Sequence, residues 1–166
     1  MARVSEALPK HVGEYMNERG FTLIELLVTL AVAVILATVA VPGFQGMMVR
    51  NQLAADVNEI LTGVNFARSE AIKRRQEVVF EFDAALPWVY EVYLSDDASN
   101  PLRIRSGSSS RVTIETGPKV EFNALGRIVA DSDCEAGCTI SVKHTSSNDI
   151  RDISISQFGR VSRGGS

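Results

Sequence analysis

The sequence predicts an α+β protein in which a long N-terminal helix packs against small antiparallel β-sheets. Three observations support this class: an apolar run near the N-terminus, an amphipathic continuation of that run, and alternating apolar residues from Glu77 onward. The helical signal and the strand signals occupy separate halves of the chain, which is typical of α+β proteins.

The apolar run extends from Phe21 to Val41 and contains one ionisable residue, Glu25. Its 21 residues would form roughly 32 Å of helix, enough to cross a bilayer core of about 30 Å. A cleavable secretory signal has an apolar region of only about 7–15 residues. We therefore expect a retained transmembrane helix. A carboxylate inside it is costly unless Glu25 lies near an interface or meets a cation, and the residues alone leave both alternatives open.

The helical pattern resumes after Pro42, which lacks a backbone N–H and is expected to loosen or kink the helix near the membrane exit. Apolar residues then recur at alternating spacings of four and three, which predicts a stripe along one helix face that a sheet must cover. Three cations at 73–75 favour a helix end there, where they complement the helix dipole. The stripe consists of Leu53, Val57, Ile60, Val64, Ala67 and Ala71.

From Glu77 onward the apolar period changes to two, which predicts β-strands separated by turn-forming residues. Residues 84–87 form a short connection, so the strands on either side of it are expected to form a hairpin. The predicted strands cover residues 78–82, 88–94, 102–105, 112–114, 120–122, 139–144, 152–156 and 157–161.

Charge and composition argue against a wholly basic nucleic-acid binder and against an enzyme. The chain has a net charge of −3, and residues 77–166 carry 9 Lys and Arg against 13 Asp and Glu. Neither His11 nor His144 has a Ser or Cys partner at a spacing that indicates catalysis. We therefore predict no catalytic residues, no cofactor and no metal site, with His144 as a surface or hydrogen-bonded histidine.

The start of the apolar run carries a recognisable motif. Gly20 precedes FTLIELL over residues 21–27, followed by a long apolar helix with Pro42. This resembles the class III signal of type IV pilins and type II secretion pseudopilins. The resemblance implies that a membrane-embedded aspartyl prepilin peptidase cleaves between Gly20 and Phe21 and methylates the new amine of Phe21. It also implies that Glu25 pairs with the Phe21 amine of a neighbouring subunit during filament assembly.

The resemblance divides the chain into four parts: a cytoplasmic leader over residues 1–20 that is removed, a transmembrane and filament-core helix over 21–42, an amphipathic helix over 43–76, and a periplasmic β domain over 77–166. It implies a single-pass inner-membrane protein with a cytoplasmic N-terminus that later joins a filament. Its partners would be other pilin or pseudopilin subunits, the peptidase and the inner-membrane assembly platform. Met16 is an alternative start that would leave the leader MNERG, and the sequence leaves this choice open.

The β region resembles the GspH/FimT group of minor pseudopilins, through FNALGR over residues 122–127, a strand pair, and ISIS over 153–156 before Gly159-Arg160-Val161. This implies the pilin-like fold, with the N-terminal helix on two small antiparallel sheets. It also implies a minor subunit of a type II secretion pseudopilus or a type IV pilus, and the sequence does not distinguish these two systems.

The resemblance also supports an alternative function, because the FimT side of the group includes DNA-binding minor pilins of natural transformation with a Gly-Arg-x-Arg tail. Here the tail reads GRVSR over residues 159–163, with one inserted residue. If the strands bring the cations together, they could form a phosphate-binding patch. The candidate DNA-binding residues are Arg160, Arg163, Lys143, Arg127 and Arg151.

The chain has two cysteines, Cys134 and Cys138. Beyond the inner membrane the compartment is oxidising, so we expect a disulfide between them that closes a small loop. A metal site would need more ligands than this pair offers.

Overall fold

The computed structural model of the chain describes residues 20–83, 85–130, 132–147 and 149–164, except for the side chain of Pro42. One long helix is followed by eight strands. The elements are α1 (Leu23–Arg74), β1 (Val78–Asp83), β2 (Val89–Leu94), β3 (Arg103–Ser106), β4 (Val112–Thr116), β5 (Val120–Phe122), β6 (Cys138–His144), β7 (Ile150–Ile155) and β8 (Val161–Arg163).

The structure divides into two units at the Val41/Pro42 boundary, and α1 contributes residues to both. We call them the N-terminal unit, up to Val41, and the C-terminal unit, from Pro42. Among the described residues, α1 is the one helix that is long and apolar enough to cross a membrane by length and composition. Residues 1–19, most of the predicted leader, lie outside the described residues.

Sheet 1 is built on the predicted hairpin. β1 and β2 pair antiparallel from Val78 opposite Leu94 to Asp83 opposite Val89. β3 pairs with the free side of β2, and β5 with the free side of β1, giving the order β3-β2-β1-β5. Phe80, Trp88 and Tyr90 are fully or almost fully buried, and the Trp88 and Tyr90 rings stack with centroids 5.9 Å apart.

Sheet 2 has the order β4-β6-β7-β8, and all its pairs are antiparallel. β4 belongs to sheet 2 and β5 to sheet 1, so the Gly117-Pro118 connection carries the chain from one sheet to the other. Cys134 and Cys138 form a disulfide immediately before and at the start of β6. The predicted disulfide is therefore confirmed.

The predicted apolar stripe of α1 forms the helix side of the core. All six of its residues are buried, and they share one hydrophobic cluster with side chains from both sheets. Burial of a leucine, valine or isoleucine side chain, the type found at four of these positions, stabilises a fold by about 1.5–3 kcal/mol. The helix ends at Arg74, as predicted, where Arg74 Nε lies 2.7 Å from Glu70 Oε2. Arg74 therefore lowers the pKa of the Glu70 carboxyl.

The predicted α+β class with two small antiparallel sheets is confirmed, and the strand boundaries differ from prediction by one or two residues at most sites. The exception is the last strand, which was predicted at 157–161 and is observed at Val161–Arg163. Residues 157–159 instead form a turn, since Gly159 has a φ of +73° and its N–H donates to the Ser156 carbonyl at 2.7 Å. Period-two apolarity did not show this turn because Phe158 mimics a strand residue.

Candidate assembly helix and basic surfaces

The first turn of α1 is capped by Thr22. Its Oγ1 accepts a hydrogen bond from the Glu25 N–H at 3.2 Å, and its carbonyl oxygen accepts one from the Leu26 N–H at 3.2 Å. This places Thr22 at the N-cap and Glu25 three residues later, which is the residue spacing of a capping box. Glu25 is the acidic residue of the first turn, where a negative charge complements the helix dipole. Phe21 precedes the cap and is 85% exposed.

The N-terminal unit presents apolar side chains on all sides of the helix. None of the apolar window that could span a membrane is buried within the structure. An all-round apolar helix requires a nonpolar environment, supplied by a bilayer or by packed neighbouring helices. The exposed large apolar residues here are Leu23, Ile24, Leu26, Leu27, Val28, Leu30, Val32, Val34, Ile35, Leu36, Val39 and Val41.

The helix assignment continues through position 42. A Cβ added to Gly43 or to Gly46 would meet no atom within 4 Å. The loosening or kinking expected at Pro42 stays a prediction, as does the assembly role expected of Pro42 and Glu25.

In the C-terminal unit, α1 approaches sheet 1 closely at Gly63. A Cβ at this position would lie 2.5 Å from Tyr90 Cζ, so glycine is needed for the tyrosine ring to cross the helix here. The Tyr90 hydroxyl donates to Glu59 Oε1 at 3.1 Å. Burial and the nearby Glu59 raise the pKa of Tyr90 to about 12, so the hydroxyl stays protonated and keeps donating.

A buried polar cluster connects α1 to both sheets. Asp56 is 4% exposed and accepts a hydrogen bond from Trp88 Nε1 at 3.4 Å. Burial raises the pKa of Asp56, and the bonds from Trp88 and from the Ser108 backbone partly offset that rise. His144 is fully buried, with Nε2 3.2 Å from Gln52 Oε1 and Nδ1 accepting the Ser146 N–H at 3.1 Å. The expected hydrogen-bonded state of His144 is confirmed.

Two of the five candidate DNA-binding residues lie on one groove. Arg151 and Arg163 line it together with Arg50 of α1, a residue that the sequence analysis did not select. One Nη of Arg163 donates to Asn58 Oδ1 on the same helix. These contacts place the C-terminal strand β8 beside α1.

The other three candidates are placed elsewhere. Lys143 bonds to Glu115 at 2.8 Å, and it alternates along β6 with the buried Val142 and His144, so it lies on the sheet 2 face opposite to the core. Arg127 lies over the Phe158 ring at 5.7 Å. Arg160 is exposed beside the 157–159 turn, and its N–H donates to Ser156 Oγ at 3.2 Å. The structure therefore joins Arg151 and Arg163 with Arg50, and it does not join all five cations in one groove.

Sequence reasoning missed three features of these surfaces. Thr22 could have been found, because Thr-x-x-Glu before an apolar run is the sequence signature of a capping box. Arg50 and Asp56 carried no such signal. The strand neighbours of Arg50 in the groove are about a hundred residues away in the sequence, and Trp88, the partner of Asp56, is about thirty residues away. Within the described part of the chain, no three His, Cys, Asp or Glu residues are grouped as metal ligands.

Comparisons with known proteins agree with this geometry. Residues 15–41 match the family described as the prokaryotic N-terminal methylation motif, and residues 56–159 match the family described as type II transport protein GspH. Two crystal structures of the type IV minor pilin FimU from Pseudomonas aeruginosa (strain PAO1) superpose on the chain with TM-scores of 0.59 and 0.56. They are 23% identical, covering 70% and 68% of this chain and 90% and 93% of theirs, so they support the fold alone.

Two curated relatives, each called fimbrial protein from Pseudomonas aeruginosa, are 37% identical over 62 residues. The match covers 37% of this chain, which spans 40% of the length of each relative.

An exposed apolar N-terminal helix that continues into the core of a two-sheet domain defines a pilin-like structural subunit. The GspH match covers more than half of the chain, so the chain belongs to the GspH family of pilins and pseudopilins. This is a family of structural subunits and not a family of enzymes, and the methylation motif and apolar helix fit an inner-membrane anchor followed by a C-terminal domain.

Proposed function

We propose that the chain is a minor pseudopilin or minor pilin that assembles into a type II secretion pseudopilus or a type IV pilus. The observation that carries this proposal is the contrast between the two parts of α1. Apolar residues before Pro42 are exposed all round, whereas the stripe from Leu53 to Ala71 is buried in the domain's own core. The first part therefore has its apolar surface available for a bilayer or for the helices of other subunits.

Processing follows from the position of the motif. The subunit is inserted in the inner membrane with its N-terminus in the cytoplasm and its β domain in the periplasm. Prepilin peptidase cuts between Gly20 and Phe21 and methylates the Phe21 amine. In support, the methylation-motif match includes this junction, and Phe21 lies before the N-cap of α1, outside the hydrogen-bonded helix.

Glu25 has an electrostatic role in assembly. A carboxylate that moves among packed apolar helices is tolerable only when paired, and loss of one partner of a buried pair costs about 3–5 kcal/mol. The Phe21 amine of the adjacent subunit is the partner, so register is set by charge while affinity comes from apolar packing. The assembly platform of the inner membrane and other pilin subunits are the required partners.

A deletion strain complemented with variants tests this proposal. Wild type should restore incorporation into filaments sheared from the cells, and Glu25→Ala should accumulate in the inner membrane without incorporation. Glu77→Ala removes an exposed acid of the domain and serves as the matched control, with wild-type incorporation expected. Equal incorporation of Glu25→Ala and wild type would contradict the proposal. Loss of exported proteins assigns the chain to secretion, and loss of surface pili assigns it to a pilus.

The alternative function is DNA binding at a pilus tip during natural transformation. It is supported by the position of Arg151 and Arg163 beside Arg50 in one groove. Duplex DNA binding to the full chain, measured at increasing salt, tests it because phosphate contacts make affinity fall steeply with salt. Salt-sensitive binding that is lost in Arg151→Ala/Arg163→Ala supports this function, and the absence of binding rejects it.

A further inference from the structure

A groove of about 280 Å³ lies between α1 and the ends of β7 and β8 in the C-terminal unit. Three arginines and an apolar floor share its lining. The arginines are Arg50, Arg151 and Arg163, and the floor includes Ala54 and the buried Val57. The groove therefore offers both a cationic wall and a nonpolar surface.

Strand register explains why the two sheet arginines face the helix. Arg151 is paired with Val142 and Arg163 with Ile153, and both partners are buried. Residues paired across antiparallel strands project from the same face of the sheet. Both arginines therefore project from the face that covers α1, and both are exposed at its margin.

The positive charge of the groove is not balanced by salt bridges within the described residues. The ion pairs found among the described residues use Lys73, Arg74, Arg105 and Lys143 as their cations, and none of these lines the groove. Asp152 also lines the groove, but its Oδ1 accepts a hydrogen bond from Ser141 Oγ at 2.8 Å, and these two residues are paired on the outer face of sheet 2. Within the described residues, the three guanidinium groups therefore keep their charge for an external anion, and one Nη of Arg163 also donates to Asn58 Oδ1.

Phosphate is the anion that this arrangement suits best. A guanidinium group offers paired N–H donors that match two phosphate oxygens, and an apolar floor beside it suits a glycerol or acyl segment. Arg50 is nine residues beyond Val41, the end of the apolar run, in the sequence. Long arginine side chains extend toward the headgroup layer while their stems cover apolar surface.

We propose that, before assembly, this groove binds the phosphate of an anionic phospholipid in the membrane that holds α1. The proposal rests on the membrane insertion proposed above. Bound lipid would fix β8 against α1, because β8 is a three-residue edge strand whose amides exchange through local opening. Entry into a filament would exchange the lipid for contacts with neighbouring subunits.

Amide hydrogen exchange of the full chain in lipid nanodiscs tests this proposal. One nanodisc contains phosphatidylcholine alone, and the other contains phosphatidylcholine with phosphatidylglycerol. We expect exchange in residues 150–163 to slow by about fivefold or more in the anionic nanodisc, the change that one arginine near an anionic surface produces. The core strands β1 and β2 provide the internal reference, and their exchange should be the same in both lipids.

Two triple variants separate the groove from net charge. R50A/R151A/R163A should lose the lipid dependence, whereas R75A/R127A/R160A, which removes the same charge from exposed positions outside the groove lining, should keep it. The single variant Arg50→Ala, at an exposed helix position, should reduce the effect without any change of fold. Equal exchange in both nanodiscs, or an equal loss in both triple variants, would overturn the proposal.

Additional arms distinguish the source of the phosphate. Inorganic phosphate added to the chain in detergent should leave exchange unchanged, and protection equal to that in anionic nanodiscs would overturn the choice of lipid. If duplex DNA protects residues 150–163 while anionic lipid does not, the groove is a nucleic-acid site and the lipid proposal is wrong. Failure of the chain to enter nanodiscs at all would reject membrane insertion itself, so the two failures can be told apart.

Discussion

At the residue scale, Gly159 occupies a position where no side chain fits. A Cβ at this position would overlap the Gly126 carbonyl oxygen, and the φ of +73° is unfavourable for any L-residue with a side chain. The same carbonyl oxygen accepts a hydrogen bond from Arg68 Nε at 3.0 Å. The Gly126 carbonyl therefore links the turn before β8 to α1, and a shift of the turn would disturb the hydrogen bond to Arg68.

We predict that Gly159→Ala lowers the free energy of unfolding by about 3 kcal/mol, because the backbone must move or remain strained. Gly46→Ala is the matched control, since a Cβ added at this helix position would have no atom within 4 Å. It should leave stability unchanged or raise it by up to about 1 kcal/mol. Urea unfolding of the full chain in detergent measures both, and similar values for the two variants would contradict the account of this turn.

Asp56 gives a pH-dependent prediction. Burial raises the pKa of this carboxyl in the folded protein above its ordinary value of 3.8. The folded state therefore binds the proton more tightly than the unfolded chain, so the Asp56 contribution to stability falls as pH rises from about 3.8 to the raised pKa, and is constant above it. Asparagine has no such titration and keeps an acceptor for Trp88 Nε1.

The stability of Asp56→Asn relative to wild type should therefore increase as pH rises through this window. Urea midpoints of both proteins, measured from acidic to neutral pH, give the difference directly and cancel the titration of the other carboxyls. A difference that is flat with pH, or that favours wild type increasingly as pH rises, would contradict the raised pKa.

At the element scale, the stripe of α1 predicts unequal costs for the same substitution. Ile60 is fully buried, whereas Ile72 is 48% exposed on the same helix. Ile60→Ala should lower the free energy of unfolding by about 3–4 kcal/mol through lost burial and the resulting cavity. Ile72→Ala should cost about 1 kcal/mol or less, in proportion to its smaller buried area. Denaturant unfolding distinguishes the two, and equal costs would mean that the stripe does not face the core.

The elements that were predicted well are those whose signal is local. The spacing of Leu53 through Ala71 and the alternation in residues 78–94 each depend on neighbours within one element, so periodicity was enough to find them. The order of strands in the two sheets depends on pairings between distant segments, such as β1 with β5. The family resemblance, and not the periodicity, supplied the two-sheet arrangement.

The candidate site was predictable to a smaller extent for the same reason. Gly20, Phe21 and Glu25 lie within one short continuous motif, so they could be selected from the sequence. The groove could not be selected, because Arg50 meets Arg151 and Arg163 only after β7 and β8 have packed beside α1. The five candidate cations are not all brought together in the fold. Arg151 and Arg163 share the groove, whereas alternation along β6 places Lys143 on the face opposite to Arg151.

At the scale of the whole molecule, one helix serves two environments. The stripe from Leu53 to Ala71 is buried in the core of the C-terminal unit, and the apolar residues before Pro42 are exposed. Head-to-tail contacts whose rotation does not close generate open helical filaments, and this is the type of assembly that we propose for the chain. In the function proposed above, this apolar surface exchanges lipid for neighbouring helices, and we propose Glu25 and the Phe21 amine as the charge pair that fixes the register.

Processing to a subunit of the pilin type leaves its clearest chemical trace at the N-terminus of the mature protein. Mass spectrometry of the mature protein from the membrane fraction should find a chain that begins at Phe21 and carries one methyl group on its α-amine. The same chain from cells without prepilin peptidase should retain residues before Phe21 and lack the methyl group. A mature protein that begins at Met1 or Met16 in cells with an active peptidase would contradict the account.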